Sequence, residues 1–443
     1  MAVSSGKRVL MSKEFPKLLV ADKKGNTFDV PYMEATGMKA GHAFRLDPRD
    51  LVKLHPDSEL FMLPERSPVG YDPAAGRTSV IKESPFGKGP CYAVAAFMAP
   101  GYTATYNASY KEKKRAPMLP LFSYAAVAFY KGAFYAAGIR VDREKRQELR
   151  GMDIKKIEKN VKAFRKTFPR NRLVRHLERC ALVYGCPAAK NFFLERYECP
   201  LPSSPSCNAR CIGCISYQPG DGCAVTQPRI TFVPTPGEIS EIALHHISRV
   251  KDPVVSFGQG CEGEPLMAGD VLVDSVRQIR KKTSKGIINL NTNASKPDVI
   301  QRLFDEGLDS IRVSMSSARE TYYSRYYLPS GYAFRDVEAS ILRAKKAGGF
   351  VSLNYLVMPG FTDSKGEVSA LRRFIGKTAV DMIQWRNLNF DPLAYFRELR
   401  VEVKPSEMMG IGRLIDSLAR EYPALGRGYF NPSKRRIRLY RTR

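Results

Sequence analysis

The chain lacks any apolar run approaching the ~18 residues that cross a bilayer, and charges interrupt its first 24 residues where a secretory leader needs an apolar core. No membrane association and a cytoplasmic location are therefore expected. It has no low-complexity tract and no repeat beyond alternating strand-like and helix-like segments. With 44% hydrophobic and 26% charged residues, the composition excludes disordered, collagen-like and coiled-coil chains. Acidic residues are scarce: 44 Asp and Glu face 71 Lys and Arg, a net charge of +27. The surplus is uneven, at 22 basic against 9 acidic in residues 101–200 but 25 against 20 in residues 201–400. Such a bias suits a phosphate polyanion through counterion release. A solvated basic surface or an anionic lipid contact would use it too.

Nine cysteines are present, five of them between Cys199 and Cys223. An odd number in a long chain does not fit a secreted disulfide framework and points to metal or iron–sulfur chemistry. Cys207, Cys211 and Cys214 form a C-x3-C-x2-C triplet. A loop wrapped around a cubane iron–sulfur cluster satisfies three thiolates this close together. A zinc site would want a fourth Cys or His, and His245 and His246 fall in an expected helix. Cys223 is the nearby candidate for a fourth cluster ligand. With three ligands only, one iron stays open to coordinate a substrate.

From residue 229 onward, short apolar runs alternate with helical patterns. Strands are expected at Arg229–Val233, Val254–Gly258, Ile287–Thr292, Ser310–Met315, Phe350–Val357 and Met382–Leu388. Helices are expected near 236–250, 268–282, 297–306, 334–347 and 365–377, with Thr235 and Glu238 as a capping box and Gly307 and Gly348 as stops. This order implies right-handed βαβ units and a parallel sheet. With the segment ahead of the cysteines it gives about six repeats, hence an α/β class and a partial (β/α)6 barrel whose chemistry lies at the C-terminal strand ends. Residues 1–195 read as a basic α+β accessory domain, with strands at Lys17–Ala21, Phe28–Val30, Cys91–Met98 and Leu121–Tyr130 and a basic helical pair over 151–182. Residues 196–395 form the core. Residues 396–443 are a basic extension ending in an arm, Lys434 to Arg438.

The triplet and the segments C-terminal to it resemble the radical S-adenosylmethionine (SAM) superfamily over residues 196–395. The stretch Gly260 to Leu266, with Glu262, Gly263, Glu264 and Pro265, looks like the family's glycine–glutamate–proline motif, which holds the amino group of the methionine moiety. Asn291, Thr292 and Asn293 are similar to the family's ribose and carboxylate contacts. Arg312 and Ser314 stand where it places polar groups, and Asn354 and Met358 lie on the strand that backs the adenine. Two positions depart from the pattern: Gly213 is usually aromatic, and Glu262 stands where a second glycine is common. The resemblance implies a [4Fe-4S] cluster on Cys207, Cys211 and Cys214, reductive cleavage of SAM to a 5'-deoxyadenosyl radical, and a one-electron donor such as flavodoxin or ferredoxin.

Cys180, Cys186, Cys199 and Cys223 are candidates for an auxiliary iron–sulfur cluster, or are buried thiols acting as small hydrophobes. Cys261, inside the cofactor motif, is a candidate catalytic thiol. Tyr322 to Tyr327 can stack on a base at the barrel mouth or form a core edge, and Trp385 to Asn387 can line a substrate pocket. With the basic flanks, RNA, and tRNA in particular, is the expected substrate of a transferase-like modification. A peptide or protein modifier is the alternative, and a non-enzymatic iron–sulfur or zinc protein a further one.

Overall fold

The computed structural model describes residues 14–87, 89–220 and 223–442; residues 1–13, the start of the charged N-terminal stretch, lie outside them. Among the described residues the chain opens with thirteen strands, β1 to β13, lying between Lys17 and Arg140 in one antiparallel sheet. Its first turn shows how local chemistry sets it. The Asp22 carboxylate accepts from the backbone N–H groups of Lys24 (2.8 Å) and Asn26 (2.9 Å). Gly25 takes a φ of +85°, which glycine adopts without a Cβ penalty. That reversal joins Lys17–Ala21 to Thr27–Lys39. Many buried positions of the sheet are alanines, among them Ala95, Ala96, Ala125 and Ala136.

Three helices come next, α1 (Ile154–Thr167), α2 (Arg172–Leu182) and α3 (Pro187–Phe193). Their apolar faces belong to the same core as the parallel sheet beyond them. Phe164, Phe192 and Phe193 pack on one another, and Phe164 meets His245 edge-on at 5.1 Å between centroids.

Seven parallel strands make the second sheet, in sequential order: β14 (Glu198–Pro200), β15 (Val254–Phe257), β16 (Ile287–Thr292), β17 (Ser310–Met315), β18 (Phe350–Val357), β19 (Met382–Asn387) and β20 (Gly426–Gly428). Seven strands thus stand where six repeats were expected. Five expected strands appear within a residue of their positions. The connecting helices include α4 (Pro236–Arg249), α5 (Gly269–Lys282), α6 (Pro297–Asp305), α7 (Glu320–Tyr327), α8 (Phe334–Lys346) and α9 (Lys365–Thr378). Thr235 and Glu238 form the capping box of α4.

Two expectations fail. Arg229–Val233 is not a strand. Pro228 and Pro234 flank it, and Ile230 N–H instead donates to Cys261 O at 2.7 Å, so the segment lies against the loop after β15. The C-terminal basic arm is a helix. After α10 (Pro392–Leu399) and α11 (Ile411–Glu421), α12 (Lys434–Arg441) packs Ile437 and Tyr440 against Val254, Ile287, Phe350 and Met382, the first residues of four barrel strands. Arg436 pairs with buried Asp142 at 3.1 Å. This helix closes the base of the barrel.

The antiparallel sheet docks at the opposite end of the strands. Thr103 Oγ donates to Trp385 O (2.7 Å), and Asn387 Nδ2 donates to Tyr102 O (3.0 Å) while its Oδ1 accepts from Ala104 N–H (2.8 Å). Arg66, 1% exposed, pairs with Asp391, 0% exposed, at 2.9 Å. Removing one partner of such a pair leaves an uncompensated buried charge, at a cost of about 3–5 kcal/mol.

Candidate active site

The loop after β14 carries Cys207, Cys211 and Cys214, and its backbone is held on two sides. On one side it meets the loop after β15. Ser203 N–H (2.7 Å), Ser203 Oγ (2.9 Å) and Ser204 N–H (3.1 Å) donate to one oxygen of Glu262, and Gln259 N–H donates to the other at 2.6 Å. Gly263 N–H donates to Ser204 O (2.7 Å) and Glu264 N–H to Ser206 O (2.8 Å). A Cβ on Gly263 would lie 2.1 Å from Ser206 O, so only glycine permits this approach. On the other side, Arg210 and Ile212 N–H donate to Tyr327 O and Tyr326 O, both at 3.0 Å, and Ser330 N–H donates to Asn208 O at 2.9 Å.

The backbone bonds leave the thiols free to converge. Burial pushes the Cys207 and Cys211 thiols up, and the charges of Glu264 at Cys207 and of Cys214 at Cys211 add to it. Arg229 Nη2 approaches Cys214 Sγ at 3.6 Å. A bound metal ion reverses this bias, because a coordinating thiol is deprotonated outright. The donor set therefore fits a thiolate-bound cluster.

Glu264 sits beside it. Its carboxylate accepts from Leu266 N–H (3.2 Å), Asn293 N–H (2.8 Å) and the Thr292 hydroxyl. Burial raises it to about 7, as it does Glu262. Glu262 thus serves the loop that carries the cysteines, with both its oxygens engaged. Asn293 Nδ2 also donates to Asn208 Oδ1 at 2.8 Å, which ties the end of β16 to the cysteine loop.

The strands' alternate residues set two faces. Ile311, Val313, Leu353 and Ile383 belong to the apolar core shared with the helices. The intervening positions are polar, and register aligns Asn291 with Arg312 and Ser352, and Ser314 with Asn354 and Gln384. Deep in this lumen Asn291 Oδ1 accepts from Asn289 (2.8 Å) and Asn431 (3.1 Å). Arg312 Nε and Asn354 Oδ1 are buried without a hydrogen-bond partner. Arg312 reaches Gln384 Oε1 only at 3.5 Å, and burial, with the charge of Arg386, pushes it down to about 9. Orphaned polar groups and two arginines in one lumen fit a polar ligand with a carboxylate.

The other candidates are more dispersed. Met358 is buried at the seam with the antiparallel sheet, where its sulfur accepts from Asn107 Nδ2 at 3.4 Å. Cys261 is buried next to Cys180 and His176. Cys199 Sγ lies by Pro200 O (3.7 Å) and Cys223 Sγ by Leu119 O (3.9 Å). Tyr323, Tyr326 and Tyr327 are buried, so this part of the aromatic segment is a core edge that backs the cysteine loop and not an open stacking platform. A Cβ at Gly213 would meet Tyr326 Oη at 2.7 Å and Phe390 at 3.4 Å; aromatics from elsewhere fill the place of the missing one. Trp385 is buried against Tyr355, and Arg386 lies over the Tyr429 ring at 4.2 Å. Sequence reasoning missed Arg229 and Asn431. A cation opening an otherwise apolar run was the one signal for Arg229, and Asn431 had none.

Residues 201–371 match the model of the radical SAM superfamily. No curated protein matches the chain. Among solved structures, a radical SAM methyltransferase from Sphaerobacter thermophilus is 17% identical with a TM-score of 0.35, covering 46% of this chain and 63% of its own. SuiB from Streptococcus suis, bound to SAM, is 13% identical with a TM-score of 0.36, covering 60% and 61%. Methylornithine synthase is 14% identical with a TM-score of 0.37, covering 63% and 73%. The chain thus spans less than two thirds of the length of the first two. Radical SAM enzymes work with a [4Fe-4S] cluster and SAM, and residues 201–371 of this chain are a radical SAM superfamily domain.

Proposed function

We propose that this chain reductively cleaves SAM at a [4Fe-4S] cluster held by Cys207, Cys211 and Cys214, and uses the outcome to modify RNA, with tRNA the favoured class. The observation that supports the chemistry is the direct hydrogen bonding of the three-cysteine loop to the loop of Glu264, beside a lumen with unpartnered Arg312 and Asn354 atoms. When bound, the cluster and SAM supply a one-electron cleavage that delivers a hydrogen-abstracting carbon radical. The protein's part is orientation. Glu264 uses three of a carboxylate's roughly four lone-pair sites on its own chain and keeps one for an ammonium group. Arg312 and Arg386 supply the positive field for a carboxylate. The antiparallel sheet, pinned to β19, keeps water from that end of the barrel. A small one-electron carrier such as flavodoxin or ferredoxin would supply the electron.

The RNA reading rests on charge. α1 exposes Lys155, Lys156, Lys159, Lys162 and Lys166 along one surface. Anaerobic incubation with dithionite and SAM, with and without total cellular RNA, tests both levels. Formation of 5'-deoxyadenosine and a mass change in an RNA nucleoside are expected. Cleavage of SAM without any RNA change would overturn the substrate and favour a peptide or protein target. No cleavage with a fully assembled cluster would overturn the reaction.

A further inference from the structure

Outside the proposed active site, three metal-binding side chains from two distant segments meet, and a fourth thiol follows on the next helix. His176 and Cys180 are four residues apart on α2 and so share one face; His176 Nε2 lies 3.5 Å from Cys180 Sγ. Cys261, from the loop after β15, completes the group, and one ligand atom from each of the three lies within 4.8 Å of the others. Cys186 stands at the N-terminal cap of α3, and its N–H donates to Cys180 O at 2.9 Å, which holds the start of α3 against Cys180. Cys180 is 1% exposed and Cys261 2%, while His176 and Cys186 are half-buried.

We propose that His176, Cys180, Cys186 and Cys261 hold one structural zinc ion. Zinc–sulfur bonds of about 2.3 Å and zinc–nitrogen bonds of about 2.0–2.1 Å give tetrahedral edges near 3.5–3.8 Å. The 3.5 Å between His176 Nε2 and Cys180 Sγ is of that size, and the Cys261 sulfur lies within 4.8 Å of both. The thiolates of a cubane each bind a different iron and spread further apart, so the spacing disfavours an auxiliary iron–sulfur cluster. A Cys180–Cys261 disulfide would leave the imidazole of His176, gathered at the same point, unexplained. The ion would tie α2 and α3 to the loop whose next residues are Glu262, the clamp on Ser203 and Ser204, and Glu264. This assignment takes Cys261 as a ligand and does not depend on the reaction proposed above.

Metal analysis of the full chain, purified anaerobically and dialysed against a chelator, tests it. About one zinc per chain is expected, with X-ray absorption at the zinc edge showing mainly sulfur neighbours and one nitrogen. Growth with cobalt should yield the intense visible bands of a tetrahedral thiolate site. Cys180→Ser, and independently His176→Ala should Cys180→Ser fail to fold, is expected to lose the zinc while keeping the cluster iron. Replacing Cys207, Cys211 and Cys214 together should do the reverse, which separates this site from the proposed reaction. Zinc far below one per chain, iron beyond four per chain that disappears with Cys180, or a Cys180–Cys261 disulfide in non-reduced mass spectra would each overturn the assignment.

Discussion

Two groups of cysteines lie on either side of the Gly258–Glu264 segment, and they are built in opposite ways. Cys207, Cys211 and Cys214 ride on a loop whose backbone bonds are made to other loops, at the C-terminal end of a parallel strand and beside a polar lumen. Cys180 and His176 ride on a helix, packed with Cys261 into the apolar layer outside the sheet. The same element thus serves two purposes. At a strand's end, three thiols sit beside a polar lumen. Behind the sheet Cys180 and Cys261 lie in the apolar core, where the proposed ion would act on shape.

Replacing Cys211 by Ala has the largest expected effect: loss of the brown visible absorbance and of SAM cleavage to background, with near-normal far-ultraviolet dichroism. Retained cleavage would erase the contrast between the two groups. Gly263→Ala comes next. Its new methyl would fall 2.1 Å from Ser206 O, backbone that cannot swing aside, so the cysteine loop must shift. Cluster iron after gel filtration should drop well below that of the unaltered chain. Glu264→Gln is smaller and sharper. Removing a charge-assisted hydrogen bond worth about 1.5–3 kcal/mol weakens SAM binding about 10- to 100-fold by titration, with iron content unchanged. Smallest is the exchange of Lys155, Lys159 and Lys162 for Glu. RNA affinity should fall modestly and its salt dependence flatten by roughly 0.7 in log–log slope for each phosphate no longer neutralised, with no effect on SAM binding. An unchanged slope would remove α1 from the RNA surface.

Much of the barrel was legible because each strand is a short β-rich run separated from the next by an amphipathic helix; Ile287–Thr292 and Ser310–Met315 appear at the expected positions. The cysteine triplet was legible because its members lie close along the chain, and Glu264 because the motif around it resembles a family pattern. The first and last strands were not. Glu198–Pro200 contains a proline, Gly426–Gly428 is two glycines around an exposed arginine, and both are edge strands made by pairing alone. Charge hid α12, since its two packing residues, Ile437 and Tyr440, sit among five cations. His176, Cys180 and Cys261 were illegible as a set, because no local spacing links a helix to a loop about eighty residues downstream.

The buried pair of Arg66 and Asp391 has a practical consequence for anyone who divides this chain. A fragment beginning just ahead of α1 would inherit a stranded carboxylate at Asp391, would strip Asn387 of both backbone partners and would lay bare the roof of the lumen. The antiparallel sheet is not a detachable module bolted onto an independent barrel. Expression, crystallisation and evolution alike must carry the two together.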